Sequence, residues 1–96
     1  MAELGGVAVY RLKTSGQFEK DYKRCRKQGH DMKKLQRIVD ILLIPEQLPP
    51  KNRNHILSGN YAKYNECHIE PDWLLIYRYN NNYLELVRTG SHSELF

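Results

Sequence analysis

Three of the four histidines in this 96-residue chain, His55, His68 and His92, fall in its last third. Asp72, Trp73, Arg78, Arg88 and a final Phe96 stand among them. Such a set suits cleavage of RNA by its own 2′-hydroxyl. One group must take the 2′ proton, another must protonate the departing 5′ oxygen, and cations must hold charge on the phosphorane. Histidine serves both transfers because its ordinary pKa, about 6.5, lies near working pH. Arginine suits the phosphate through paired charge-assisted bonds, and aromatic rings suit unstacked bases.

Each residue also has a plainer role. Asp72 follows Pro71 and could be a turn acid, and His68 could cap a strand end. Trp73 and Tyr77 have the bulk of core residues. Arg88 could pair at the surface with Glu85 or Glu66, and Phe96 could seal the core edge. His55, His68, His92 and Asp72 could together bind zinc, but no compact ligand spacing such as H-E-x-x-H occurs, so no metal or cofactor is expected.

The elements that would position these groups read as follows. Val7 to Lys13 alternates as a first strand. Thr14 with Gln17 fits a capping box, and Phe18, Tyr22 and Cys25 then form one apolar stripe of a helix that Gly29 stops. His30 lies at the junction, with no partner visible in the sequence. Asp31 caps a second helix, in which Met32, Leu35, Ile38, Val39, Leu42 and Leu43 keep a 3–4 rhythm until Pro45. Residues 45–60 read as a loop stiffened by Pro49-Pro50. Three strands follow: Tyr61–Ile69, then Trp73–Tyr79 after a Glu70-Pro71-Asp72 turn, then Tyr83–Thr89 after an asparagine hairpin. Gly90 breaks the last strand, and Ser91 to Phe96 closes the chain as a turn or one helical turn.

The whole is an α+β fold of order β-α-α-β-β-β, an antiparallel-dominated sheet packed on a helical hairpin. In such a meander His68, Asp72 and His92 fall at one sheet edge, and a loop must bring His55 to them.

Ninety-six residues make one domain, with residues 1–6 expected as a flexible extension. The longest apolar run, Ile41 to Ile44, is too short for a bilayer, and no signal peptide is read, so a cytoplasmic protein is expected. Cys25 and Cys67 are expected as buried thiols, with a disulfide between them as the lesser reading. The net charge of +4 is unevenly spread. Lys20, Lys23, Arg24, Arg26, Lys27, Lys33, Lys34 and Arg37 face only Asp21 and Asp31, a local balance of +6. That block suits an anionic partner such as nucleic acid or an acidic protein, or is a solvated helix face.

Three stretches carry a resemblance: Asn54-His55-Ile56-Leu57-Ser58-Gly59, Glu66 to Tyr77 with its H-I-E-P-D-W-L-L-I-Y run, and Arg88-Thr89-Gly90-Ser91-His92-Ser93-Glu94-Leu95-Phe96. Together with the element order they resemble the YafQ-type branch of the RelE/ParE toxin superfamily over about residues 7–96. The expected histidines and acid are all present, and only the stretch before Val7 is longer than usual. The resemblance implies a RelE-like domain and the toxin of a type II toxin–antitoxin pair. Such a toxin is an endoribonuclease that cuts mRNA in the A site of the 70S ribosome without a metal. It is held by a cognate antitoxin, usually of ribbon-helix-helix type, which supplies any contact with operator DNA.

Carried onto this chain, the resemblance makes His92 the general acid, Asp72 or His68 the base, and His55 an aid to proton transfer or phosphate holding. Trp73 and Phe96 shape the base pocket, and Arg88, with Lys63 and Arg53, meets phosphate. The basic block from Lys20 to Arg37 becomes a ribosomal RNA contact. Related toxins of this fold poison DNA gyrase without cutting RNA, which leaves a non-catalytic binding module as the alternative reading; a metal-dependent hydrolase is the third.

Overall fold

A computed structural model describes residues 9–59 and 63–96. Strand β1 (Arg11–Thr14) leads into helix α1 (Gly16–Lys27) and helix α2 (Met32–Leu43). A 3-10 turn at Pro50–Asn52 and a two-residue strand β2 (His55–Ile56) precede β3 (Asn65–Glu70), β4 (Trp73–Asn80) and β5 (Tyr83–Gly90). Helix α3 (His92–Leu95) ends the chain. The five strands form one sheet in the order β1-β5-β4-β3-β2, with β1 parallel to β5 and every other pair antiparallel.

The order matches the sequence reading, and four local boundaries differ. The expected first strand begins later: Val7 and Ala8 lie outside the described residues, and β1 starts at Arg11. The helix cap is Ser15, whose Oγ accepts from the Phe18 N–H, because Thr14 is held in β1 opposite Leu86. Gln17 instead donates to Asp21. Residues 45–60 are not all loop, since His55 and Ile56 pair with Glu66 and Asn65. The second expected strand starts at Asn65; Tyr61 and Ala62 lie outside the described residues, and Lys63 has a left-handed φ of 76°.

Alternation along β4 divides the interior. Trp73, Leu75 and Tyr77 point into the main core with Phe18, Cys25, Leu35, Ile38, Val39 and Leu42 of the helices. Leu74 and Ile76 point to the other face, where Leu95, Leu57, Tyr64 and Val87 gather as a smaller cluster. Both cysteines are free and buried, and burial pushes the Cys67 thiol up to about 12. Helices α1 and α2 thus cover one face of the sheet, and Leu95 near the C-terminus closes the smaller cluster on the other.

A buried polar cluster ties α1 to β5. Asp21 is fully buried and accepts from Arg88 Nε (2.7 Å) and Nη2 (3.2 Å), Arg24 Nη1 (2.9 Å), Gln17 and the Thr89 N–H. Burial alone would raise its pKa; the donors, Arg88 foremost, outweigh that and hold the carboxyl below the usual range. Arg24 also donates to the Thr89 carbonyl and places Nε 3.1 Å from Glu94. Gly90 permits this approach. Its φ is 155°, and a Cβ there would stand 2.5 Å from Arg24 Nη2.

Candidate active site

The β3–β4 turn and the end of β5 meet, since Leu74 lies opposite Gly90. Ser91 then starts α3 with a reciprocal capping box: its Oγ accepts from the Glu94 N–H and its own N–H donates to Glu94 Oε1. This fixes His92 at the first position of α3, above the turn. The His92 N–H donates to Asp72 Oδ1 at 2.9 Å, and His92 Nδ1 lies 2.7 Å from the same oxygen. An ionised carboxylate only accepts, so Nδ1 carries a proton and Nε2 is directed away from Asp72. Those two bonds, the backbone one first, hold the Asp72 carboxyl below the usual range.

His68 stands beside this pair, its ring centre 5.6 Å from that of His92. Its Nδ1 donates to the Pro71 carbonyl at 3.2 Å, which turns Nε2 toward Glu66 Oε1 at 3.6 Å. His55 is brought in by β2. Its Nδ1 donates to the Arg53 carbonyl at 2.7 Å, and its Nε2 lies 3.4 Å from the same Glu66 oxygen. Glu66 is 4% exposed and stands opposite His55 across the β2–β3 pair. The order His55, Glu66, His68, His92, Asp72 is therefore one continuous line of titratable groups.

The other expected residues take varied positions. Trp73 is buried, donates from Nε1 to Thr89 Oγ1, and stacks on His30 at 4.3 Å, so its ring belongs to the scaffold. His30, without a visible partner in the sequence, thus gains one, and its Nδ1 lies 3.9 Å from Glu70. Arg88 is drawn toward Asp21, with 21% of its side chain still exposed. Phe96 is 62% exposed one turn beyond His92. Arg53 and Lys63 are exposed on the segments flanking β2 and β3. In the basic block, Lys20, Lys23, Arg26, Lys27, Lys33 and Arg37 are exposed, Lys34 pairs with Glu70 at 2.6 Å, and Arg24 is turned inward. Arg78 pairs with Glu85 and lies over the Tyr64 ring.

Sequence reasoning passed over Glu66 and Asp21 as site-shaping residues. Glu66 had a signal, since it shares a strand face with His68 at i and i+2. Asp21 had none: it sits in a basic helix, and its partner Arg88 is 67 residues away.

Chemically the line offers two imidazoles side by side, one oriented by an exposed carboxylate and one facing a buried carboxylate. Two neighbouring imidazoles can serve a ligand as proton donor and proton acceptor. Among the described residues, no three His, Cys, Asp or Glu side chains converge as ligands of one metal ion.

The family model of the bacterial YafQ toxin of type II toxin–antitoxin systems matches residues 10–96. The mRNA interferase toxin YafQ of Escherichia coli strain K12 is 39% identical over 88 residues, covering 88% of this chain and 94% of that protein. In the crystal structure of the E. coli DinJ–YafQ complex, the matching chain has a TM-score of 0.83 at 38% identity, covering 91% of this chain and 98% of its own length. A metal-bound toxin from Helicobacter pylori has a TM-score of 0.86 at 44% identity, covering 91% of this chain and 99% of that one. The chain belongs to the YafQ family of bacterial toxins of type II toxin–antitoxin systems.

Proposed function

We propose that the chain is an mRNA interferase, an endoribonuclease that cuts mRNA in the ribosomal A site by general acid–base catalysis through the 2′-hydroxyl. The observation that carries this reading is the line of His55, Glu66, His68, His92 and Asp72. His92, held by Asp72, presents Nε2 to protonate the departing 5′ oxygen. His68 takes the 2′ proton at Nε2, where Glu66 meets the positive charge that forms. Asp72 is the poorer base of the two, because both His92 bonds favour its ionised form. His55 shares Glu66 and supports either transfer. Arg88 turns its remaining exposed surface to the phosphate, and Phe96 offers a ring to an unstacked base.

The exposed cations of α1 and α2 suit ribosomal RNA, whose phosphates would make the contact salt-dependent. No helix among the described residues is long and apolar enough to cross a membrane. A toxin that acts on ribosomes would work in the cytoplasm. An antitoxin partner follows from family membership and from the complex that E. coli YafQ forms with DinJ. It would hold the toxin inactive and carry any operator binding, and a ribbon-helix-helix protein is the expected type.

The test is to map cuts in one mRNA, with and without ribosomes. Cuts are expected only on ribosomes, at equal rate with and without a transition-metal chelator such as phenanthroline. Cutting that stops with the chelator would contradict the metal-independent chemistry. Intact mRNA together with trapped, cleaved DNA–gyrase complexes would replace the whole reading with the gyrase-poisoning one.

A further inference from the structure

Against His68, a groove of about 700 Å³ lies between α2 and the 3-10 turn, lined by His68 but not by His92. Its rim carries Lys34 and Arg37 from α2, and Lys51 and Arg53 from the turn. Ile38, Ile41 and Ile69 floor it. The single acid in its wall, Glu70, is already matched by Lys34. Arg37, Lys51 and Arg53 have no ion-pair partner among the described residues.

The groove is held in shape. Asn52 is buried and donates from Nδ2 to the His68 carbonyl at 2.6 Å, which ties the turn to the strand that carries the proposed base. Leu48 is buried in the main core and anchors the entry to the turn. Arg53 is held at a left-handed φ of 46°, a conformation uncommon for a residue other than glycine. Its carbonyl, at the same bend, receives His55. The bend that places a cation on the groove therefore also orients a member of the catalytic line.

We propose that this groove binds the sugar–phosphate backbone of the RNA strand next to the cut bond, so that Arg37, Lys51 and Arg53 act as phosphate contacts of the substrate itself. The proposal rests on the endoribonuclease reading. An RNA strand seated at His68 and His92 continues beyond them, and on the His68 side it meets a cationic rim above an apolar floor. The cations match its charge, and the isoleucines accept the face of a sugar or base. Arg37, placed above with the ribosome-facing block, moves to the substrate side. Lys51, which sequence reasoning did not single out, joins it.

Binding of a fluorescein-labelled single-stranded RNA 12-mer to the full chain tests this. His92→Ala is the parent, so that the strand stays uncut, and affinity is followed by anisotropy from 50 to 300 mM KCl. Adding Arg37→Gln and Lys51→Gln together should weaken binding roughly tenfold at low salt. It should also lower the slope of log affinity against log salt by about 1.4, the value for two single-strand phosphate contacts. Arg11→Gln with Lys13→Gln, two exposed cations at the far edge of the sheet, should change the slope by less than half as much.

Equal losses from both pairs, no loss from the groove pair, or no measurable binding by the parent each overturn the groove. So does loss of binding to an acidic antitoxin peptide with RNA affinity intact, since the groove would then serve protein. Ribosome-dependent cutting by the wild-type chain, measured alongside, separates the two ideas: if it persists while the groove variants behave as the parent, only the groove is lost.

Discussion

Two aspartates show how this chain divides its labour. Asp21 is fully buried, and Asp72 leaves 67% of its side chain exposed, yet both are held below the usual carboxyl range by their donors. Asp21 commits its oxygens to two arginines, a glutamine and a backbone N–H, all within the fold. Asp72 gives one oxygen to a single histidine at the surface, by backbone and ring. A buried, saturated carboxylate stabilises packing and offers nothing to a ligand. An exposed one that orients an imidazole leaves that imidazole's other nitrogen available for a proton. The difference predicts that damage at Asp21 falls on stability and damage around Asp72 falls on rate.

The largest effect should come from His92→Ala. Loss of the general acid is expected to slow cutting on ribosomes by roughly a hundred- to ten-thousandfold, with an unchanged melting temperature because the ring is exposed. Equal cutting by this variant and wild type would remove His92 from the mechanism. Toxicity in cells should fall in parallel.

Next comes Asp21→Ala, which leaves Arg24 and Arg88 facing a void. The expected cost is about 3 kcal/mol of folding stability, at the low end for breaking a buried pair because both arginines are partly exposed. That is a large share of the roughly 5–15 kcal/mol available to such a domain, and urea unfolding would read it. The sign of the pH dependence follows from the direction of the shift. A carboxyl with a depressed folded pKa contributes fully above its unfolded value, near 3.8, and loses the contribution as pH falls through the lower folded value. The gap between wild type and Asp21→Ala should therefore narrow below about pH 4. A gap that stays constant into acid would mean that ionisation of Asp21 contributes nothing.

A smaller effect is expected from Glu66→Gln, which keeps shape and removes charge beside His55 and His68. The rate should fall on the order of tenfold, the loss of one charge-assisted contact to the protonated base. The pH–rate profile should move with it, which a merely structural role would not produce. An unaltered profile would confine Glu66 to packing.

Much of this division could be read in the sequence where the signal was local. The 3–4 rhythm of α2, the asparagine hairpin and the strand order are enough to place His68, Asp72 and His92 together, because a meander returns every second strand end to one edge. The capping position is not legible locally, because β1 claims Thr14 through its pairing with β5, a contact with the far end of the sequence. Strand β2 is hidden for a similar reason. Two residues in a polar segment become a strand only because β3 offers them an edge. Arg24 and Asp21 read as members of a solvated basic face, since nothing within α1 reveals that Arg88 and Glu94 close over them. Trp73, by contrast, carried its burial in its own bulk and in the apolar run that follows it.

In the proposed mechanism RNA is cut by its own 2′-hydroxyl between His68 and His92. Its most direct test replaces that one hydroxyl by hydrogen, in the nucleotide just 5′ of a mapped cut, with the mRNA seated on ribosomes. Cutting at that bond should disappear while the unmodified strand yields a 2′,3′-cyclic phosphate and a 5′-hydroxyl. A deoxy strand cut at the same bond and rate would contradict the mechanism, whatever the histidine variants do.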